Sequence, residues 1–185
     1  MKRNFTHVSP NCFVLLYKSL VRSHIEYANS VWNTHYIENH RKIEQVQMRA
    51  TKLIQGLKGL SYTQRLIRLK LPTLKFRRLR GDMIEIYKML TGNYDKDSCI
   101  KFKFVNYPGT QPRGNKLQIY QDHVHYKLRK YFFANRVIHT WNSLPNAVVE
   151  ASSINSFKNR LDKYWINEEF KFNWEADLSG TGSRT

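Results

Sequence analysis

The segment from Pro72 to Gly92 constrains this chain more than any other. At about 100° per residue, Phe76, Leu79, Met83, Ile86, Tyr87 and Leu90 fall within roughly a 100° arc, the apolar stripe of an amphipathic helix. Pro72 suits its opening, with Thr73 and Leu74 in the first turn, because a first-turn N–H has no intrahelical partner to lose. Gly92 suits its end, because it accepts left-handed backbone. A stripe this regular must be buried against other elements, so the chain is expected to fold as packed helices. Lys75, Arg77, Arg78, Arg80 and Lys88 lie beside or opposite the stripe and are expected in solvent or against a partner.

The same spacing recurs elsewhere. Phe13, Tyr17, Leu20, Val21, His24, Ala28, Val31 and Trp32 repeat at three- and four-residue steps, which predicts a helix over the stretch from Cys12 to Trp32. A second helix is predicted from Glu38 to Gln55, burying Ile43, Val46, Ala50, Leu53 and Ile54 and ending at Gly56. Ser61-Tyr62-Thr63-Gln64 reads as a capping box opening a short helix to Leu69. From Tyr94 to Tyr126 the texture changes. Residues 101–105 and 116–120 alternate polar and apolar around a Pro/Gly-rich stretch, which predicts a small β-hairpin with a long loop. Two further helices are predicted, Leu128 to Ser143 before Pro145 and Ser153 to Ile166, and then a loose tail.

Charge narrows the function. The 185 residues hold 31 Lys+Arg against 14 Asp+Glu, a formal net of +17. Such a field recruits polyanions, because each neutralised phosphate releases condensed counterions. Nucleic acid, bound through its phosphates, is the expected partner; no apolar run approaches the ~20 residues of a membrane span. Cys12 and Cys99 are too few and too far apart for a disulfide framework, and the start lacks a signal-peptide core. The expected location is therefore cytoplasmic or nuclear.

The search for catalytic groups returns little. Two-metal chemistry needs converging carboxylates, and the closest approach, Asp95-Lys96-Asp97, sits in a turn where Asp serves the backbone. His123 and His125 could share one face of a strand, but a zinc site needs further ligands. Nucleophile signatures such as G-x-S-x-G and Gly-rich phosphate loops are absent. No metal, no cofactor and no catalytic residue are expected.

Basic residues supply the positive signal. Between Arg41 and Lys88 there are 13 Lys or Arg and 3 Asp or Glu, a net of +10. Arg41, Lys42, Arg49, Lys52, Arg77, Arg78 and Arg80 are the candidate phosphate contacts in this span. A second cluster, Lys127, Arg129 and Lys130, adjoins Tyr131, Phe132, Phe133 and Arg136. There the aromatics could stack on unpaired bases or form core. Trp32, Trp141, Trp165 and Trp174 read first as packing residues.

Several stretches are similar, word for word, to one family. LYKSLVRSHIEYANSVW at 16–32, VQMRATKLI at 46–54, LSYTQRL at 60–66 and RRLRGDMIEIYK at 77–88 resemble LINE-type, jockey-like non-LTR retrotransposon reverse transcriptases. So do RKYFF at 129–133 with Val137, WNSLP at 141–145, SFKNRLD at 156–162 and GTGSR at 180–184. Ser23 departs from the family, which usually carries proline before His24. The resemblance implies the thumb and C-terminal extension of an RNA-directed DNA polymerase, without palm aspartates or endonuclease, so that the chain is no enzyme on its own. It also implies a thumb that grips template and primer through the second and fourth helices, with Arg77, Arg78 and Arg80, and a C-terminal part that binds element RNA.

The expected fold is mainly α, a helical thumb-like bundle followed by the small β-hairpin and two further helices. The expected divisions are a thumb-like helical domain at 1–93, a hairpin or loop connection at 94–126, a C-terminal helical segment at 127–167 and a flexible tail at 168–185. The alternatives are a protein-interaction module, bound to a partner or to itself through surfaces left by the missing palm, or a gene remnant without a nucleic-acid role.

Overall fold

The structure, a computed structural model, describes residues 9–95, 97, 99–105 and 115–178. The described residues are mainly helical, and they group into two compact units. One comprises the described residues within Met1–Arg78 together with Glu169–Asp177, the other those within Leu79–Glu168 together with Leu178. The boundary falls inside a helix, after Arg78. Most of the expected loop, residues 106–114, and the end of the expected tail, 179–185 with its GTGSR word, lie outside the described residues.

In the first unit, α1 (Pro10–Tyr17) opens on Ser9, whose hydroxyl accepts from the Cys12 N–H. Its continuation widens to a π-helical turn over Lys18–Arg22, returns to α2 (Ser23–Glu26) and breaks before α3 (Asn29–Trp32). The single long helix expected from Cys12 to Trp32 is therefore interrupted: Tyr27 is extended and Ala28 takes left-handed backbone at φ 50°. Ser23 lies inside the continuous part and bonds its hydroxyl back to the Ser19 carbonyl.

Helix α4 (Ile37–Thr51) corrects a second expectation. Val46 and Leu53 are exposed, whereas Glu44, Gln47 and Thr51 are buried. Polar groups can occupy an interior only when hydrogen-bonded, and these are. Gln47 Oε1 accepts from the Tyr17 hydroxyl at 2.8 Å, while its Nε2 donates to the Tyr62 hydroxyl and the Pro72 carbonyl, each at 3.0 Å. Thr51 Oγ1 accepts from Arg65 Nε at 3.1 Å. Glu44 reaches the start of α6 (Leu74–Leu90), accepting from the Leu74 N–H at 3.2 and 3.1 Å and from the Tyr62 hydroxyl at 2.6 Å. A carboxylate placed on otherwise orphaned N–H groups caps a helix, here across 30 residues of sequence. Thr73 completes the cap, its hydroxyl accepting from the Phe76 N–H at 3.0 Å.

Helix α5 (Tyr62–Leu69) begins with the expected capping box, Ser61 Oγ accepting from Gln64 N and Gln64 Oε1 from Ser61 N. Its apolar face joins Phe13, Tyr17, Ile54, Leu57, Leu69 and Leu71 in one buried cluster with Leu66. The 3-10 turn Glu169–Lys171 packs Phe170 on Phe76, ring centroids 5.3 Å apart, and its backbone accepts from the Thr73 hydroxyl and N–H.

The second unit is built on the rest of α6. Met83, Ile84, Ile86 and Tyr87 are buried, and the Tyr87 ring stacks on Phe157 at 4.3 Å. Phe157 belongs to α11 (Ile154–Tyr164), opened by the Ser153 hydroxyl on the Ser156 N–H, and it also meets Trp141. The chain between Tyr126 and Ser143 is not one helix but α7 (Lys127–Lys130), α8 (Phe133–Arg136) and α9 (Ile138–Asn142), with Phe132 extended between α7 and α8; α10 (Asn146–Val149) follows.

The expected β-hairpin does not form. Among the described residues there is no strand, only one antiparallel bridge between Phe104 and Ile119. The bridge is flanked by two backbone bonds, Val105 N–H to the Gln118 carbonyl and Tyr120 N–H to the Lys103 carbonyl, while the Ile119 N–H and C=O face away from Phe104 and bond to the two ends of the Asn142 side-chain amide, each at 2.9 Å. Nearby, the Lys116 N–H goes to Asn146 Oδ1 and the Leu117 carbonyl accepts from the Trp141 indole. Side chains of α9 and α10 thus satisfy backbone groups of residues 116, 117 and 119.

Candidate nucleic-acid interface

The expected phosphate contacts divide by environment. Arg41, Lys42 and Arg49 lie on α4 and Lys52 is its C-cap, and all are exposed. At about 100° per residue they occupy a single arc of roughly 100°, with Gln45 and Glu38 between them and the buried Glu44, Gln47 and Thr51 on the other side. The nearest acid, Glu38, stands 3.9 Å from Arg41. Lys58, Arg68 and Lys70, in the same unit, are exposed as well.

Arg77, Arg78 and Arg80 do not join this arc. Arg77 makes a bidentate pair with Glu26 at 2.8 and 2.7 Å, a carboxylate that also meets Arg22 at 3.1 Å. Arg80 pairs in the same way with Asp162 at 2.6 and 2.7 Å. Arg78 is only 3% exposed and brings Nη2 to 2.9 Å from His40 Nδ1. A guanidinium can only donate, so Nδ1 accepts and Nε2 of His40 carries its proton to the Thr34 carbonyl, 2.6 Å away. The solvent-facing role expected for these arginines is therefore corrected: their hydrogen bonds are directed inward.

Other acids are paired as well, mostly at the surface. Asp82 is buried against Arg136 at 3.1 Å, Asp122 meets Lys103 at 3.0 Å, Glu150 meets Lys116 at 3.0 Å and Asp177 meets Lys75 at 2.8 Å. Most of the acidic minority thus sits in ion pairs, and the exposed arc of α4 carries four cations against the one acid Glu38.

The buried network behind that arc is strongly perturbed. Burial pushes the Glu44 carboxyl above the ordinary carboxylate range, although the Tyr62 hydroxyl, the Leu74 N–H, the Arg78 charge and the Lys75 N–H all pull it down. Burial together with Glu44 raises the Tyr17 and Tyr62 phenols, so both stay protonated donors.

In the second unit Lys127, Arg129 and Lys130 are exposed on α7. Of the adjoining aromatics, Phe133 is 4% exposed beneath the Arg136 guanidinium and belongs to the core, while Phe132 is 58% exposed. The sequence left these two roles open, and the extended backbone at Phe132 separates them. The His123 and His125 rings lie 4.6 Å apart, edge to face, and among the described residues no three His, Cys, Asp or Glu converge as a metal site. Among the same residues no helix is long and apolar enough to cross a membrane. The chain matches no protein-family model, no curated protein and no solved structure.

Proposed function

We propose that this chain is a non-catalytic nucleic-acid-binding fragment of a retrotransposon reverse transcriptase, gripping phosphates through the exposed arc of α4. The observation that carries the binding is that arc: Arg41, Lys42, Arg49 and Lys52 on one face, anchored from behind by the hydrogen-bonded Glu44, Gln47 and Thr51. A helix presenting an excess of cations on one face follows a phosphate backbone without reading bases, so binding is sequence-tolerant and positions template and primer for chemistry supplied elsewhere. The family assignment rests on the word-level resemblance in the sequence.

The test is a salt titration of binding to duplex DNA, an RNA–DNA hybrid and single-stranded RNA, comparing the wild type with Lys42→Ala/Arg49→Ala/Lys52→Ala. On duplex DNA the log–log slope should become shallower by about 0.9 for each phosphate that the variant no longer neutralises. An unchanged slope and affinity in the triple variant would refute the assignment.

A second reading has its own observation. Leu15, Leu20, Tyr27, Val31, Tyr36 and Ile37 are large, apolar and exposed along α1 to α4. Such residues favour a protein-interaction surface, which would appear as a concentration-dependent complex little affected by salt.

A further inference from the structure

The second unit has a feature that phosphate binding alone does not explain. Two hollows, of about 240 and 420 Å³, both include Tyr120, Asp122 and Asn135 in their walls. Phe132 and Arg129 line the first and Lys130 the second. The larger alone falls within the ~300–1,000 Å³ of small-ligand sites. An aromatic ring left open to water forgoes the burial that drives folding, yet Phe132 and Tyr120 are both more than half exposed here. In the walls of the hollows Lys101, Arg129 and Lys130 are exposed cations. The one acid in the walls, Asp122, is held at 3.0 and 3.1 Å by Lys103 Nζ and so offers little repulsion to an anion.

We infer that these hollows form a single-strand-selective site, in which an unpaired base stacks on Phe132 while Arg129 and Lys130 hold the flanking phosphates. The inference rests on the nucleic-acid reading but places a separate site in the other unit. Open aromatic faces edged by cations suit unpaired bases, because every base has a π-face. In a duplex those faces are already stacked, so a paired strand gains nothing from Phe132. The side chain is free for this role. The local fold uses the Phe132 backbone instead, its carbonyl accepting from the Asn135 and Arg136 N–H groups.

The experiment measures full-chain binding to a fluorescent oligouridylate of about 12 nucleotides, within the ~4–16 of single-strand sites, and to a duplex of equal length. Phe132→Ala should weaken oligouridylate binding about 5- to 150-fold, the equivalent of one stacked base, and leave duplex binding and the salt slope unchanged. Phe132→Tyr should restore it, and the melting temperature of both variants should match the wild type. Arg129→Ala/Lys130→Ala should make the single-strand slope shallower by about 0.7 for each phosphate left unneutralised. Equal losses on both probes, or no loss with Phe132→Ala, would overturn the site. If Phe132→Ala is silent while Lys42→Ala/Arg49→Ala/Lys52→Ala weakens both probes, the α4 interface stands and this site falls. If the α4 variant is silent while Phe132→Ala weakens only oligouridylate binding, the α4 interface falls and this site stands.

Discussion

Removing the two ends of one buried hydrogen bond, separately and together, tests whether the polar face of α4 holds the first unit together. Tyr17 and Gln47 are both fully buried, and the phenol donates to Gln47 Oε1 at 2.8 Å. Tyr17→Phe leaves that oxygen without its donor. Gln47→Leu strands both the Tyr17 hydroxyl and the Pro72 carbonyl, whereas Tyr62 keeps its bond to Glu44. At about 1.5 kcal/mol per stranded group, within the ~1–3 kcal/mol range, Tyr17→Phe should cost about 1.5 and Gln47→Leu about 3 kcal/mol. The double variant strands only the Pro72 carbonyl, so it should cost about 1.5 kcal/mol rather than the roughly 4.5 of independent sites, a coupling near 3 kcal/mol. Urea denaturation followed by circular dichroism, with amide exchange in α4 as a local probe, measures all three. Additive costs would refute the reasoning, since they would mean that neither group depends on the other. Duplex binding by the folded double variant should match the wild type, because neither residue faces solvent.

Two more predictions concern neighbouring groups. The Glu44 carboxyl is raised in the folded state, so it binds its proton more tightly there than in the unfolded chain. Its contribution is complete below the unfolded value of about 4.3 and is lost as pH rises through the folded value, so the stability of the wild type relative to Glu44→Gln should fall with pH across that window; a rise would contradict the burial argument. Arg77→Ala and Arg80→Ala should each cost about 1 kcal/mol, between the ~0–1 of exposed pairs and the ~3–5 of buried ones, as read by denaturation. Both should bind duplex as the wild type does at salt concentrations where they are folded, and a shallower salt slope in either variant would count against their inward role.

Sequence periodicity carried furthest where apolar residues do the packing. The stripe of α6, the capping box at Ser61 and the α11 start at Ser153 are local patterns, and each forms where its pattern lies. It failed where polar residues are interior. On α4 the buried positions are Glu44, Gln47 and Thr51, and their partners Tyr17, Tyr62 and Leu74 come from distant sequence that no window of a dozen residues contains. The clustering of Arg41, Lys42, Arg49 and Lys52 was legible from helical spacing alone. That of Arg77, Arg78 and Arg80 misled, because Glu26, His40 and Asp162 reach them only in the folded chain. Phe132 and Phe133 are adjacent and chemically identical, and only the backbone turn between α7 and α8 assigns one to solvent and the other to the core.

The Asn142 amide also bears on how this chain behaves in a crowded solution. Exposed backbone in an extended segment is a template on which a second chain can add a strand, the first step of edge-to-edge aggregation. The segment around Ile119 is extended and flanked by aromatic and aliphatic residues, which makes it a natural seed. On one side it meets Phe104 in a bridge, and on the other Asn142 occupies the N–H and C=O of Ile119 as a neighbouring strand would. A single side chain therefore acts as a terminator of strand growth, closing the edge at Ile119 to incoming chains.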